Sequence, residues 1–268
     1  MTQPARRALV LARGAGTRMQ SADGSARLTA EQEGAAASGQ KAFMPIAGRP
    51  FLGYVIDALT AAGVQEIGLV VADHHVELGP SGHLSNSVHT LTLVVQSRAL
   101  GTADAVWSAR DWAAGEPFLV LNGDNLYPSA AVGAVASADG PALAGFDRDD
   151  LVATSNISRE RINAFAVLER DAHGNLQRIV EKPSAAVLDA MPAPVLVSMN
   201  LWKFDARIFD ACRDVTPSAR GELELPAAVM LARRRGVSFE VVPSVGPVLD
   251  LSSRGDIAAV ARRLGAAQ

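Results

Sequence analysis

Short apolar runs alternate with amphipathic segments in the first half of this chain, and this alternation limits the fold more than any other feature. The runs "RALVLA", "EIGLVVAD", "TLTLVVQ" and "PFLVLNGD" predict buried strands. The segments "RPFLGYVIDALTAAGV" and "GTADAVWSARDWAA" predict helices. Short apolar strands separated by helices are typical of a parallel sheet covered on both faces. We therefore predict an α/β fold, Rossmann-like, with a mixed but mostly parallel sheet.

The second half of the chain has a looser pattern. The stretch "RINAFAVLERDAHGNLQRIVEKP" predicts two strands joined by a turn, and "VLVSMNLWKFD" predicts another strand. Helices are expected near "ELELPAAVMLARRRG" and "SSRGDIAAVARRLG". Because no internal repeat or Pro-rich linker interrupts the chain, we predict a single domain over residues 1–268. Residues 140–200 would be its substrate-binding elaboration.

Residues 20–40, "QSADGSARLTAEQEGAAASGQ", interrupt the alternation. The segment is rich in Ala, Ser, Gly and Gln and has almost no large apolar side chain, so it cannot build a core of its own. An insertion of this length without regular structure is usually disordered or a mobile functional loop. We expect a flexible active-site insertion.

Charge and cysteine content exclude several functional classes. The net charge is −3 with both signs mixed, which argues against general binding to nucleic acid or to a membrane surface. The single cysteine, Cys212, rules out an internal disulfide and a Cys-rich zinc site. No apolar run is long enough to span a bilayer. We expect a cytoplasmic protein without nucleic-acid or membrane partners, and a homo-oligomer is left open.

The first strand ends in a glycine-bearing loop, "LVLARGAGTRM". In open parallel sheets, ligands bind beyond the carboxyl ends of the strands. Glycines let the backbone approach a ligand, unpaired N–H groups attract anions, and Arg18 adds a charged fork for phosphate oxygens. The loop is neither a Walker motif nor G-x-G-x-x-G. A tight turn with a surface arginine is the alternative interpretation.

Further motifs follow this loop along the chain: "KAFMPIAGRP", "QSRALGTADAV", "LNGDNLY", "VEKP", "RGELELP" and "VLDLSSRGDI". As an ordered set they resemble the sugar-phosphate nucleotidyltransferases, or nucleotide-sugar pyrophosphorylases. The glucose-1-phosphate thymidylyltransferases and uridylyltransferases belong to that family. The resemblance extends from about residue 8 to residue 260. It implies the nucleotide-diphospho-sugar transferase type of fold.

The resemblance also implies a role for each motif residue. Arg18 and Lys41 would be catalytic, and Asp124 and Asp250 would hold Mg²⁺ as the cofactor. Nucleotide-binding roles would fall to Leu11, Ala12, Arg13, Gly14, Ala15, Gly16, Thr17, Gln96, Gly101 and Thr102. Roles in binding the second substrate would fall to Asn125, Ala166, Glu181, Lys182 and Asn200.

The chemistry of such a reaction agrees with these residue types. An acceptor phosphate oxygen attacks the α-phosphorus of a nucleoside triphosphate and pyrophosphate leaves, so cations must offset the repulsion between two polyanions. No Ser, Cys or His nucleophile is needed. Simpler interpretations of single residues remain open. Asp124 could end a strand in an Asx turn, Asp250 could cap the last helix, and Gln96 could be an ordinary polar residue at a strand end.

Several positions depart from the family pattern. Arg13 stands where a small residue is usual, and a long side chain there would affect nucleotide choice. Phe165-Ala166 replaces the usual Tyr-Gly, and Asn200-Leu201-Trp202 replaces Gly-x-Tyr. These changes narrow the second-substrate pocket and alter its hydrogen bonding. We expect glucose 1-phosphate to be a poor substrate.

The sequence therefore predicts an enzyme that transfers a nucleotidyl group from a nucleoside triphosphate to a phosphorylated small-molecule acceptor, first of all a sugar 1-phosphate. A non-sugar phosphate or phosphonate acceptor is a close alternative. A non-catalytic nucleotide-binding regulatory protein is another, although the joint presence of Arg18, Lys41, Asp124, Lys182 and Asp250 argues against it. A glycosyltransferase would be expected to carry Asp-x-Asp, which "GDNLY" lacks.

Overall fold

The computed structural model describes residues 4–14, 16–21, 26–73 and 90–265. The strands are β1 (Arg7–Leu11), β2 (Pro45–Ile46), β3 (Arg49–Pro50), β4 (Glu66–Val71), β5 (Thr90–Val95), β6 (Phe118–Asn122), β7 (Asn125–Leu126), β8 (Ala142–Asp147), β9 (Val167–Arg170), β10 (Leu176–Val180), β11 (Leu196–Phe204), β12 (Glu240–Ser244) and β13 (Leu249–Asp250).

The helices cover the intervening segments. They are α1 (Thr17–Gln20), α2 (Ala30–Ser38), α3 (Phe51–Ala61), α4 (Thr102–Ser108), α5 (Arg110–Ala113), α6 (Ser129–Ser137), α7 (Arg148–Thr154), α8 (Arg159–Asn163), α9 (Ala185–Ala190), α10 (Arg207–Asp214), α11 (Leu225–Arg234) and α12 (Asp256–Gly265), with a 3₁₀ turn at Lys41–Phe43. Within the described ranges, no helix is long and apolar enough to cross a bilayer.

One sheet dominates the described part of the chain and contains nine strands. Its central order is β10-β9-β11-β6-β1-β4-β5, and β8 pairs with β11 and β12. The neighbours β6, β1, β4 and β5 run parallel, as do β8 and β12. Strand β11 is antiparallel to β6, β8 and β9. The predicted mixed α/β sheet with a parallel centre is confirmed.

Apolar side chains of the central strands are buried on both faces of the sheet. In β1, Ala8 and Val10 pack in one core cluster and Leu9 packs in the other, as the two-residue period of a strand requires. Residues of α3, α6 and α12 cover the first face, and residues of α4, α10 and α11 cover the second. The prediction of helices on both faces is therefore also confirmed.

The helix predicted for "GTADAVWSARDWAA" is divided in the structure. Helix α4 ends at Ser108 and α5 begins at Arg110, with Ala109 between them. The predicted hairpin after residue 165 is present, and its turn is held by one carboxylate. The Oδ1 atom of Asp171 accepts hydrogen bonds from the backbone N–H groups of His173 and Asn175, both at 2.9 Å. This is the Asx-turn chemistry that favours Asp at such positions.

Residues 20–40 contain a helix, so the expectation of a segment without regular structure is wrong for its described part. Thr29 and Gln32 form a capping box at the start of α2, with hydrogen bonds of 3.2 and 3.1 Å. Gly39 ends the helix in the left-handed conformation with φ of 71°. Local capping, the burial of Ala36 and the contacts of Gln32 with Pro45 and of Glu33 with Arg254 therefore support this helix without large apolar residues. The flexible role of the segment stays a prediction.

Candidate functional site

A cleft opens at the carboxyl ends of β1 and β6, where ligands are expected in a sheet of this kind. It consists of three adjoining cavities, and Asn122 lines all of them. The loop cavity is lined by Leu11, Ala12, Gly14, Lys41, Ala42, Thr102, Asn122 and Asp124. The carboxylate cavity has Arg18, Asp124, Asn125, Arg161 and Asp250 among its lining residues. The hairpin cavity has Ala166, Glu181, Lys182, Asn200 and Trp202 among its lining residues, and Glu181 and Lys182 directly follow β10.

The loop cavity brings together residues from distant parts of the sequence. Lys41 stands at the start of the 3₁₀ turn, and its Nζ forms an ion pair with the carboxylate of Asp124. Both side chains are mostly buried, at 17% and 20% exposure, so their charges interact more strongly than they would at an open surface. The predicted catalytic lysine and the predicted metal ligand therefore face one space.

The glycines of the loop have different surroundings. A Cβ atom at Gly14 would meet nothing within 4 Å, so this backbone is open toward the cavity that it lines. A Cβ atom at Gly16 would lie 2.2 Å from the carbonyl oxygen of Gly39, and φ at Gly16 is 62°. Gly16 is thus required by its contact with the end of α2. Thr17 begins α1, and Ala15 lies outside the described residues.

Arg13, Gln96 and Gly101 form a hydrogen-bonded cluster next to the loop cavity. The Nε of Arg13 donates to the carbonyl of Gln96 at 2.6 Å, which ties the loop to the end of β5. The side-chain amide of Gln96 donates to the carbonyl of Gly101 at 3.0 Å and to Asp104 at 2.7 Å. Gln96 is 3% exposed and is not among the residues that line the three cavities, so its side chain supports the wall of the cleft through Gly101 and Asp104.

Gly101 also has a structural requirement. Its φ is 119°, and a Cβ atom there would lie 2.4 Å from the carbonyl oxygen of Leu223. Next to it, the hydroxyl of Thr102 accepts a hydrogen bond of 2.9 Å from the N–H of Leu225 at the start of α11. These contacts join the loop cavity to the segment that borders the hairpin cavity.

The carboxylate cavity contains a buried acid. Asp250 is 5% exposed and is therefore a buried residue. Its Oδ1 accepts hydrogen bonds from Asn125 and Ser252, each at 3.0 Å, and its Oδ2 forms an ion pair with Arg161. Burial, together with the charge of Asp124, raises the pKa of Asp250 to about 6, although Arg161 opposes this shift.

Asp250 does not cap the last helix. Its carboxylate accepts from Asn125, Ser252 and Arg161, whereas Asp256, the first residue of α12, accepts hydrogen bonds at Oδ2 from the N–H groups of Ser252 and Ser253 before the helix, at 3.1 and 2.8 Å. The alternative interpretation of Asp250 is therefore not supported. Its side chain instead lines the same cavity as Asp124.

The pair Asp124 and Asp250 fits a magnesium ion by its chemistry. Mg²⁺ is commonly bound by one or two carboxylates, with water and substrate phosphates completing the octahedron. The described residues contain no group of three or more His, Cys, Asp or Glu side chains that could form a complete protein cage. A site with two carboxylates and open positions is the arrangement expected where substrate phosphates supply the remaining ligands.

The hairpin cavity is polar and carries both signs of charge. Burial raises the pKa of Glu181 above its ordinary value, and the charge of Glu224 adds to the shift. Glu224 is paired with Arg220 at 2.9 Å. The indole Nε1 of Trp202 is buried without a hydrogen-bond partner among the described residues. The cavity therefore offers an acidic wall and the ammonium group of Lys182.

Two residues of this wall have left-handed backbone. Lys182 has φ of 45° and Asn200 has φ of 60°. Asn200 lies where the pairing of β11 with β8 shifts register, and it faces both the hairpin and the carboxylate cavities. Asparagine tolerates this conformation better than most residues, which explains how it replaces a glycine at this point.

Sequence reasoning missed several residues that line the cleft. Asn122 ends β6 directly before the Gly-Asp motif, and this position could have indicated it. Glu222 and Glu224 lie in "RGELELP", which was noted as a motif without roles for its residues. Arg161 has no sequence signal, because "SRERIN" is typical of an exposed helix.

Comparison with known proteins agrees with this geometry. A family model described as nucleotidyl transferase matches residues 7–242, which is most of the chain. The chain belongs to the nucleotidyl transferase family. The predicted resemblance to sugar-phosphate nucleotidyltransferases is thereby confirmed.

Similar proteins within this family have known names. The low-salt glycan biosynthesis nucleotidyltransferase Agl11 of Haloferax volcanii is 28% identical over 206 residues, which is 76% of this chain and 54% of that protein. A glucose-1-phosphate thymidylyltransferase of Streptomyces griseus is 30% identical over 224 residues, 83% of this chain and 56% of that protein. The chain thus spans little more than half the length of these relatives.

A solved structure of UDP-glucose pyrophosphorylase complexed with UDP-glucose has the same fold. Its TM-score is 0.74 at 16% identity, and the match covers 100% of both chains. At this identity the likeness concerns the fold alone. It confirms the predicted nucleotide-diphospho-sugar transferase type of α/β sheet.

Proposed function

We propose that this chain transfers a nucleotidyl group from a nucleoside triphosphate to a sugar 1-phosphate or a related phosphorylated acceptor, releasing pyrophosphate. The observation that carries the proposal is the junction of the cavities. Asp124 and Lys41 face the loop cavity, Asp124 and Asp250 face the carboxylate cavity, and Lys182 faces the adjoining hairpin cavity. Two phosphorylated ligands, one in the loop cavity and one in the hairpin cavity, would meet beside Asp124 and Asp250.

The triphosphate belongs in the loop cavity. Gly14 leaves its backbone accessible there, and Lys41 lines the same cavity. Arg18 lines the carboxylate cavity, so its guanidinium would hold the departing phosphates beside the reacting phosphorus. The base would lie toward Thr102, which lines this cavity, and Gln96 would support that wall through its hydrogen bond to Gly101. Arg13 would fix this segment without touching the base.

Asp124 and Asp250 would hold Mg²⁺, which neutralises charge on the triphosphate and the attacking phosphate. Lys41 is paired with Asp124 in the described structure, and its charge would move toward the α-phosphate when the metal takes the carboxylate. Asn125 would orient Asp250 through its hydrogen bond of 3.0 Å. Catalysis would then consist of positioning and charge neutralisation, as phosphoryl chemistry generally requires.

The acceptor belongs in the hairpin cavity, with its phosphate near Lys182 and its polar body near Glu181 and Asn200. Ala166 and Asn200 stand where the family has glycine, so they reduce the space available to a sugar ring. This favours an acceptor that is smaller than glucose 1-phosphate or differently substituted. A non-sugar phosphate or phosphonate is the second candidate, and the same two residues favour it. Because nucleoside triphosphates are supplied in the cytoplasm, we place the reaction there.

A substrate screen tests this function. Each of the common nucleoside triphosphates would be combined with a panel of sugar 1-phosphates, polyol phosphates and phosphonates in the presence of Mg²⁺. We expect pyrophosphate release that depends on one acceptor class, with the nucleotidylated product identified by mass spectrometry. The Lys41→Gln variant serves as the matched inactive control. Triphosphate binding without turnover for any acceptor would instead support a regulatory protein.

A further inference from the structure

Arg161 is a cation already resident at the proposed metal site. It projects from the short helix α8, and its guanidinium bridges two carboxylates. One nitrogen is paired with Oδ2 of Asp250 and the other donates to Oδ1 of Asp256 at 2.7 Å. The side chain is 32% exposed and lines the carboxylate cavity, whereas Asp250 and Asp256 are nearly buried. The open end of this network therefore faces the cleft.

The pairing leaves Asp250 little capacity for another ligand. A carboxylate offers about four lone-pair directions. Asn125 and Ser252 use both directions of Oδ1, and Arg161 uses one of the two on Oδ2. A divalent ion would have to take the remaining direction on Oδ2, directly beside a positive charge. The carboxylate of Asp124 has more of its lone pairs available, since its contact with Lys41 uses Oδ2 alone.

Asp250 does not need Arg161 to stay in place. Its N–H donates to Oδ1 of Asn156 at 2.8 Å, and its carbonyl accepts from Nδ2 of Asn156 at 2.8 Å. Asn125 and Ser252 hold the carboxylate from the other side. The position of Asp250 is thus determined by several contacts that do not involve the guanidinium. Arg161 contributes mainly its charge.

We propose that Arg161 is an internal competitor of the divalent metal, so that Asp250 becomes a metal ligand only when Arg161 withdraws toward Asp256. This inference rests on the proposed function for the identity of the metal ligands. According to this proposal, Arg161 lowers the affinity of the free protein for a divalent metal ion. Substrate phosphates in the carboxylate cavity would then supply further metal ligands, so metal would bind more tightly together with the substrates than to the free protein.

Binding of Mn²⁺ alone, without nucleotide or acceptor, tests the proposal. The free Mn²⁺ signal in electron paramagnetic resonance gives the dissociation constant, and displacement by Mg²⁺ shows that the site is shared. We expect Arg161→Gln to bind Mn²⁺ about 10- to 100-fold more tightly than the unmodified protein, the range over which outer partners alter metal affinity. Arg161→Lys keeps the charge and should bind nearly as the unmodified protein does.

Arg159→Gln is the matched control. Arg159 lies on the same helix but pairs with the exposed Asp149, so its loss should leave Mn²⁺ affinity unchanged. Equal or weaker Mn²⁺ binding by Arg161→Gln would overturn the inference, because it would mean that Arg161 only orients Asp250. If the unmodified protein nevertheless releases pyrophosphate, the proposed transfer function stands although the inference about Arg161 fails. Absence of Mn²⁺ binding in every variant would overturn both the inference and the metal assignment.

A second measurement covers the case in which Arg161→Gln does not fold. In the unmodified protein, the arginine side-chain ¹⁵N resonance that is missing from the Arg161→Lys spectrum belongs to Arg161. Addition of Mg²⁺ should shift this resonance as the ion pair with Asp250 breaks. Saturation with Mg²⁺ without such a shift would contradict the proposal.

Discussion

Asn200 is the residue whose replacement tests the acceptor pocket most directly. It lies in β11 with φ of 60°, and its side chain faces the point where the hairpin and carboxylate cavities join. Replacement by glycine suits this backbone, while replacement by alanine does not. The two variants therefore remove the same amide group but differ in backbone strain, which makes each the control of the other.

The stability difference between these variants follows from the backbone. A left-handed conformation costs a residue with Cβ about 1–2 kcal/mol relative to glycine. We expect Asn200→Ala to unfold at lower urea concentration than Asn200→Gly, with a free energy of unfolding lower by about 1 kcal/mol. Asn200→Gly should be close to the unmodified protein, since asparagine already tolerates this region. Urea unfolding followed by circular dichroism measures both values.

The activity of both variants should change in the same direction. Loss of the amide removes a donor and an acceptor and widens the pocket, so glucose 1-phosphate should fit better. We expect kcat/KM for glucose 1-phosphate to rise by about 10-fold or more, the effect of one altered pocket group. The assay measures the rate of pyrophosphate release for each variant with a panel of hexose 1-phosphates at saturating triphosphate.

Two outcomes would refute this reasoning. Efficient turnover of glucose 1-phosphate by the unmodified protein would mean that Asn200 does not restrict the pocket. A rise in kcat/KM with Asn200→Gly but not with Asn200→Ala would assign the effect to backbone freedom and not to the lost amide.

Further predictions concern the catalytic groups and the insertion. Asp124→Asn and Asp250→Asn should each remove most activity while circular dichroism shows a folded protein, because an amide has nearly the shape of a carboxylate but binds Mg²⁺ weakly; near-normal turnover at saturating Mg²⁺ would contradict their assignment. Removal of Arg18 or Lys41 should lower kcat by roughly 10²–10³-fold, the scale of one preorganised donor, and a change in KM alone would make the residue a binding group only. Residues 20–40 should be cleaved more slowly by protease when the triphosphate is bound, and equal rates would indicate an inert insertion.

Local sequence patterns predicted the elements of this protein well. The short apolar run in "RALVLA" and the helical period in "RPFLGYVIDALTAAGV" depend on neighbours in the chain, and these segments became β1 and α3. Motif spacing also located most of the cleft, because residues that end parallel strands meet at one edge of the sheet. The helix in residues 20–40 was missed although Thr29, Gln32 and Gly39 are recognisable capping residues.

Only the tertiary structure decided how charges are paired within the cleft. Arg161 and Asp250 are separated by 89 positions, and no local pattern links an exposed helix to a buried strand end. The same holds for Gly16, whose glycine requirement comes from Gly39 and not from the loop sequence. Hydrophobic periodicity is a property of adjacent residues, so it can be found along the chain. Ion pairs and close backbone contacts depend on distances between segments, and these exist only after the sheet has assembled.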